Sequence, residues 1–267
     1  MNQRNQGVDL LKCVAMLMIV MLHILGYGGV LKNIKQNSAV YFLAWFIEAA
    51  CYCAVNCYAI TTGYLMAERK LHYGNIFVIW FQAVFYSVII TLVFAAFQPG
   101  TVSVGQLIKA CLPITSKQWW YLSCYTLLFV FIPILNAAVT VLSKEQFSFI
   151  LICILFGVTA MSQMPTIDAF SIREGYSPWW LMIMYLVGAY IKKYNPFPKI
   201  KGYDAIGLYF LMALFILMSK LRITFITQRI FGQVIYPDFF FEYTSLLVVL
   251  SSVCLFFFLQ ELERYLN

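Results

Sequence analysis

Residues 8–29 read VDLLKCVAMLMIVMLHILGYGG, an apolar run that carries Asp9, Lys12 and His23. Lys12 and His23 stand eleven residues apart. At 100° per residue that is about three turns, so both fall on nearly the same helix face, roughly 16 Å apart along the axis. Asp9 projects within about 40° of His23. Desolvating such a stripe inside an otherwise lipid-like helix is costly, which makes it a candidate for function.

The remaining composition is of the same kind. Of 267 residues, 63% are hydrophobic and only 11% charged, and mean hydropathy is +0.82. Soluble domains are about half apolar and about a quarter charged, so the fold class predicted is all-α: a polytopic integral membrane helical bundle. Trp and Tyr gather near the ends of apolar runs, as in interfacial belts. The net charge is +7, but the basic residues form no continuous patch, which argues against nucleic acid as a partner. Cys13, Cys51, Cys53, Cys57, Cys124, Cys153 and Cys254 lie in apolar runs and Cys111 in a connection. With no C-x-x-C pair and no suitably spaced His they read as packing residues, and no metal is expected. Lys12 interrupts the first run, and a small-x-small cleavage pattern is lacking, so the run reads as a retained helix and not a signal peptide.

About eight transmembrane helices follow, over roughly 8–29, 39–66, 74–97, 119–142, 146–162, 178–194, 203–219 and 239–260. Residues 103–112, VSVGQLIKAC, are too short to span and are expected to lie along the interface. With no linker or internal repeat, 1–267 reads as a single domain. For orientation, the loops holding Arg4, Arg69, Lys70, Lys144, Lys192, Lys193, Lys199, Lys201 and Arg264, together with Lys12, are set against those holding Lys32, Lys35, Lys109, Lys117, Arg173, Lys220, Arg222 and Arg229, ten against eight. The clusters at 68–70 and 192–193, tight against span ends, tip the reading to a cytoplasmic N-terminus. An even number of spans then makes the C-terminus cytoplasmic too.

His23 is either a helix histidine bonded to a neighbour or a general base, since neutral imidazole can take a proton from a hydroxyl near pH 7. Lys12 either snorkels to inner headgroups or contacts an anionic cytoplasmic ligand. Glu48 reads as a solvated interfacial carboxylate, Asn56 as an interhelical hydrogen-bonding group, and Gly63 as a point of close backbone approach. Trp119, Trp120 and Tyr121, with Trp179 and Trp180, read first as an interfacial belt; the alternative is a stacking platform for sugar rings, helped by Arg173 and Glu174. His72 reads as a loop histidine, although Arg69 and Lys70 beside it make an anion site.

DLLKCVAMLMIVMLH resembles the first-helix pattern of the acyltransferase family 3 membrane proteins, in which a basic residue precedes a histidine with ten residues between. AVNCYAITTGYLM is similar to the family's second-helix pattern, and WWYLSCYTLLFVFIPILN at 119–136 and WWLMIMYLVGAYIKKY at 179–194 resemble later segments. The resemblance extends discontinuously from residue 8 to about 194. It departs from the pattern at Asn56, where proline is usual, at Thr62, where serine is common, and at Lys12, where arginine is usual. The resemblance implies an integral-membrane O-acyltransferase of the plasma membrane. Such an enzyme moves an acyl group, most commonly acetyl, from acyl-CoA to a hydroxyl of a cell-surface polysaccharide or lipid-linked glycan. In that scheme His23 is catalytic, Lys12, Arg69 and Lys70 hold the CoA phosphates, and Trp119, Trp120, Tyr121 and Arg173 meet the acceptor. The family core has about two more helices than counted here, so the chain is expected to be a C-terminally incomplete fragment, a truncated variant or a shorter subtype. The competing reading from another class is a small-solute or proton-coupled transporter using Asp9, Lys12 and His23 as a relay. Against it, no repeated half and no matched pair of broken helices is found. A third reading is a non-catalytic membrane partner.

Overall fold

The computed structural model describes residues 5–116, 118–162, 168 and 170–266. Arg4 and Lys117 lie outside the described residues, as do the side chains of Arg173 and Arg264.

Helix α1, Gln6–Leu25, starts where the Asn5 side chain accepts from Val8 N at 2.8 Å, a side-chain cap for an otherwise orphan donor. One further turn, α2 (Val30–Asn33), completes the first run. α3 (Ala39–Cys51), capped by Ser38, and α4 (Ala54–Met66) are separated by Tyr52 and Cys53. Both of these residues keep right-handed helical dihedrals, so the expected 39–66 span is one crossing made of two segments. α5 is Gly74–Phe97, and α6 is Val104–Cys111 with a capping box between Ser103 and Gln106. α7 (Trp120–Val141) and α8 (Lys144–Ser162) follow. α9 (Pro178–Tyr194) begins with Ser177 as cap and proline in its first turn, where the missing N–H costs nothing. α10 (Gly202–Phe231) and α11 (Leu246–Leu266) end the described chain.

Among the described residues, seven helical stretches are long and apolar enough to cross a membrane. α9, at 17 residues, is about 26 Å long and runs between the same two faces, bringing the crossings to the eight expected. The Gln6 N–H donates to Glu263 Oε1 at 3.0 Å, so both ends of the described chain meet on one face, as an even number of crossings requires.

Two expected spans need correcting. The span expected over 203–219 continues to Phe231. Lys220, which suggested a helix end, is buried, paired with Asp238 and set over the Trp45 ring at 3.6 Å; with its charge met, the helix goes on. The span expected from 239 begins at Leu246, because 239–245 form turns folded back onto the bundle.

α4 and α9 run parallel at the centre. A Cβ on Gly63 would sit 1.9 Å from Tyr185 O, and one on Gly188 would sit 2.0 Å from Ile60 O. Each glycine therefore receives the other helix's carbonyl against its Cα, the small-residue packing that replaces a hydrophobic driving force within lipid. Asn136 of α7 joins the pair, donating to Met66 O at 2.8 Å and accepting from the Tyr185 hydroxyl at 2.6 Å. α8 packs on α9; α1 and α11 flank α4 and each other, and α10 bridges α3 and α11. α5 packs mainly on α6 and exposes Phe77, Phe81, Phe85 and Phe94, the composition of a lipid-facing helix.

Candidate active site

On α1, Lys12 Nζ lies 3.5 Å from Asp9 Oδ1, with both side chains partly exposed. The Tyr58 hydroxyl donates to Lys12 O at 2.9 Å, so α4 fixes the height of this segment. His23 is exposed near the end of the helix, its Nδ1 2.7 Å from Ile19 O. A carbonyl can only accept, so Nδ1 carries the proton in this bond. In the neutral ring Nε2 then holds the lone pair, which is the condition for a general base.

Beyond His23 an aromatic wall closes the face opposite the chain ends. The His23 and Tyr27 rings are 5.5 Å apart, and the Tyr243 hydroxyl is pushed up by burial, then by Tyr176 and Glu48, with Tyr27 the smallest contributor. Tyr243 meets Tyr52 at 5.0 Å, Tyr176 at 5.0 Å and Trp120 at 5.9 Å. Trp120 packs on Tyr176 at 4.5 Å, and Tyr121 continues the wall to Tyr58 at 6.1 Å. Beside it opens a cavity of about 470 Å³, walled by Trp120, Tyr176 and Trp179 and carrying the hydroxyls of Ser123, Ser171 and Ser177. Aromatic faces interleaved with hydroxyls suit a neutral, hydroxylated ring.

Of the acceptor-side residues expected, Trp120 and Tyr121 join this wall. Trp119 caps α7 half-buried and forms no part of the cavity lining. Trp180 is no interfacial residue. It is fully buried and donates from Nε1 to Asn56 Oδ1 at 2.9 Å, while Asn56 Nδ2 donates to Tyr243 O at 2.8 Å. Asn56 thus anchors the loop that supports the wall. The Tyr243 N–H donates to Glu174 O at 3.1 Å, and the Tyr243 Cβ occupies the space a side chain on Gly175 (φ +99°) would need, 2.5 Å away. Tyr243 is held from three sides.

Next to it Glu242 is pushed up from 4.5 to about 7, first by burial and then by the Glu174 charge, against the lowering effect of the Thr244 hydroxyl. A raised carboxyl holds a proton in the folded chain that the unfolded chain has released, so this stabilisation is full below pH 4.5 and is lost as pH rises to about 7. Glu242→Gln is expected to shrink the drop in unfolding temperature between about pH 5 and pH 8; an unchanged drop would remove Glu242 as its source.

Sequence reasoning missed a second polar group. Glu48 is buried, 8% exposed, and not solvated as expected; its Oε2 and Trp45 Nε1 have no hydrogen-bond partner among the described residues. They lie one turn apart on α3 beside Lys220 and Asp238. The only sequence signal was a turn-spaced Trp45 and Glu48, and nothing local linked them to Lys220.

At the chain-end face Arg69 and Lys70 are exposed, Lys192 stands over the Tyr64 ring at 4.9 Å, and Lys193 donates to Val139 O and Leu142 O. Lys12 does not join them. Tyr58, whose hydroxyl reaches Lys12 O, stands eight residues before the end of α4 at Met66, about 12 Å of helix, and Arg69 and Lys70 follow in the turn beyond it. Along the bundle Arg69–Lys70, Lys12 and His23 thus follow one another as three stations, the last two about 16 Å apart on α1.

A family model, Acyl_transf_3, described as an acyltransferase domain, matches residues 5–266. No curated protein and no solved structure matches the chain.

Proposed function

The chain belongs to the acyltransferase family whose model spans residues 5–266, a multi-pass membrane acyltransferase, and on that premise we propose that it is an O-acyltransferase of the plasma membrane with both termini cytoplasmic. It takes an acyl group, acetyl being the family's commonest, from acyl-CoA and passes it to a hydroxyl of a cell-surface polysaccharide or lipid-linked glycan. The observation that supports this most is His23, whose Nδ1 is committed to Ile19 O and whose ring packs on Tyr27, at the face of the bundle that also carries the hydroxyl-lined cavity.

In this reading Nε2 accepts the proton of the acceptor hydroxyl as its oxygen attacks the thioester carbonyl carbon. The C–S bond then breaks, and the imidazolium returns the proton to the departing thiolate, leaving an ester and free CoA. The three stations along the bundle support the order of the donor: Arg69 and Lys70 toward its phosphates, Lys12 along the way and the thioester at His23. Lysine serves phosphate as a point charge.

The test uses the full chain in lipid nanodiscs with radiolabelled acetyl-CoA and a mixture of membrane glycans. Label is expected in an ester product. Lys12→Ala is expected to raise KM for acetyl-CoA roughly tenfold, the scale of one lost charged hydrogen bond, with KM for acceptor little changed. A change confined to the acceptor would overturn the donor-side role of Lys12. Solute flux without any acylated product would overturn the enzyme reading.

A further inference from the structure

A second cavity, of about 460 Å³, opens on the face opposite the chain ends, between α5 and α6. Ile90, Thr91 and Phe94 of α5 form one wall. Gln106 and Lys109 of α6, with Ser116 and Gln118 from the segment leading to α7, form the other.

Its hydrogen-bonding capacity can be worked out group by group. Gln106 Oε1 already accepts from Ser103 N at 2.7 Å, as half of the capping box, and Gln118 Oε1 accepts from the Ser87 hydroxyl at 3.0 Å. An amide whose oxygen is engaged has its NH₂ left to offer. Ser116 and Thr91 direct their hydroxyl protons to Lys109 O and Ser87 O, at 3.3 and 2.8 Å. Among the described residues, the free donors of the lining are therefore two amide NH₂ groups and one ammonium, and no carboxylate lines the cavity. That is a site for an anion with several acceptor oxygens.

Its setting narrows the anion further. α6 is amphipathic and exposes Val104, Ile108 and Leu112, as a helix lying in the headgroup plane does. Ile90 and Phe94 continue into the exposed apolar face of α5, which runs through the hydrocarbon. Three donors at headgroup depth above an apolar wall match a phosphate carrying lipid chains, and we infer that this cavity binds the phosphate headgroup of a membrane lipid, its chains lying along α5.

The inference does not need acyl transfer. Where it meets that reading, it selects the acceptor. The Ser123 hydroxyl donates to Ile114 O at 2.6 Å, so the segment bearing Ser116 and Gln118 is tied to the start of α7. The two cavities flank that one turn, Gln118 in one and Trp120 in the other. A phosphate-linked glycan lipid carries both chemistries joined: phosphate toward Lys109, sugar toward Trp120.

Native mass spectrometry of the full chain in detergent, titrated with dioleoyl phosphatidic acid, dioleoylglycerol or inorganic phosphate, tests the site without any assay of transfer. Saturable binding of phosphatidic acid is expected, and none of its neutral twin. Lys109→Gln and Gln118→Leu are each expected to weaken it roughly tenfold, with Lys109→Arg restoring it and the unfolding temperatures of both Lys109 variants unchanged. Binding by Lys109→Gln equal to that of the unsubstituted chain, or equal binding of dioleoylglycerol, would overturn the site. Inorganic phosphate competing at concentrations equal to the lipid would overturn the lipid assignment.

Discussion

His23→Gln is expected to lower acyl transfer by about 10²- to 10⁴-fold, the usual contribution of a positioned general base, while the protein stays folded. Folding is spared because the His23 ring is exposed and its hydrogen bond is to its own helix, at Ile19 O; exposed substitutions of this kind usually change stability by no more than about 0.5 kcal/mol. The loss should fall on kcat, with KM for acetyl-CoA little changed, because the base acts on the hydroxyl in the transition state and not on the donor's phosphates. His23→Ala leaves an opening beside Tyr27, so added imidazole is expected to restore part of the rate. Transfer retained at the unsubstituted level by both variants, measured with labelled acetyl-CoA, would remove His23 from the chemistry.

The difference between His23 and the residues that escaped sequence reasoning is one of range. His23 and Lys12 share a helix, so eleven residues of spacing already place them on one face. The span at 74–97 carries no charged residue, and the one at 178–194 has a Ser-Pro start; both emerge with the ends expected. Where a charge is satisfied by a distant partner, local reasoning ends too soon. Lys220 looked like the close of a helix, because Asp238 and Trp45 reach it only after the chain has folded. Glu48 looked solvated for the same reason. Trp180 looked interfacial, and only the fold brings Asn56 to its indole nitrogen. The separation of Lys12 from Arg69 and Lys70 is also tertiary: it depends on where Tyr58 grips α1.

Gly63→Ala and Gly188→Ala are expected to be the most damaging single-methyl changes in the chain. In ordinary overpacking a side chain shifts its rotamer, and the cost stays at about 1–3 kcal/mol. Here the obstacles, at 1.9 and 2.0 Å, are the backbone oxygens of Tyr185 and Ile60, inside helices that cannot change shape locally, so α4 and α9 must separate along their length. Separation strains what the pair holds at each end. On one face are the Asn56 bonds to Trp180 and Tyr243, and on the other is Lys192 over Tyr64. The expected loss therefore exceeds about 3 kcal/mol, read as a collapse of the monodisperse peak on gel filtration and a lowered unfolding temperature. Gly157→Ala and Gly207→Ala supply the contrast, because an added Cβ at either position meets nothing within 4 Å. There alanine gains up to about 1 kcal/mol of helix propensity over glycine. If Gly63→Ala were as stable as Gly207→Ala, α4 and α9 would not be in backbone contact. If it folded but lost transfer, the contact would act by setting the height of Trp180, and through Asn56 that of Tyr243, against His23.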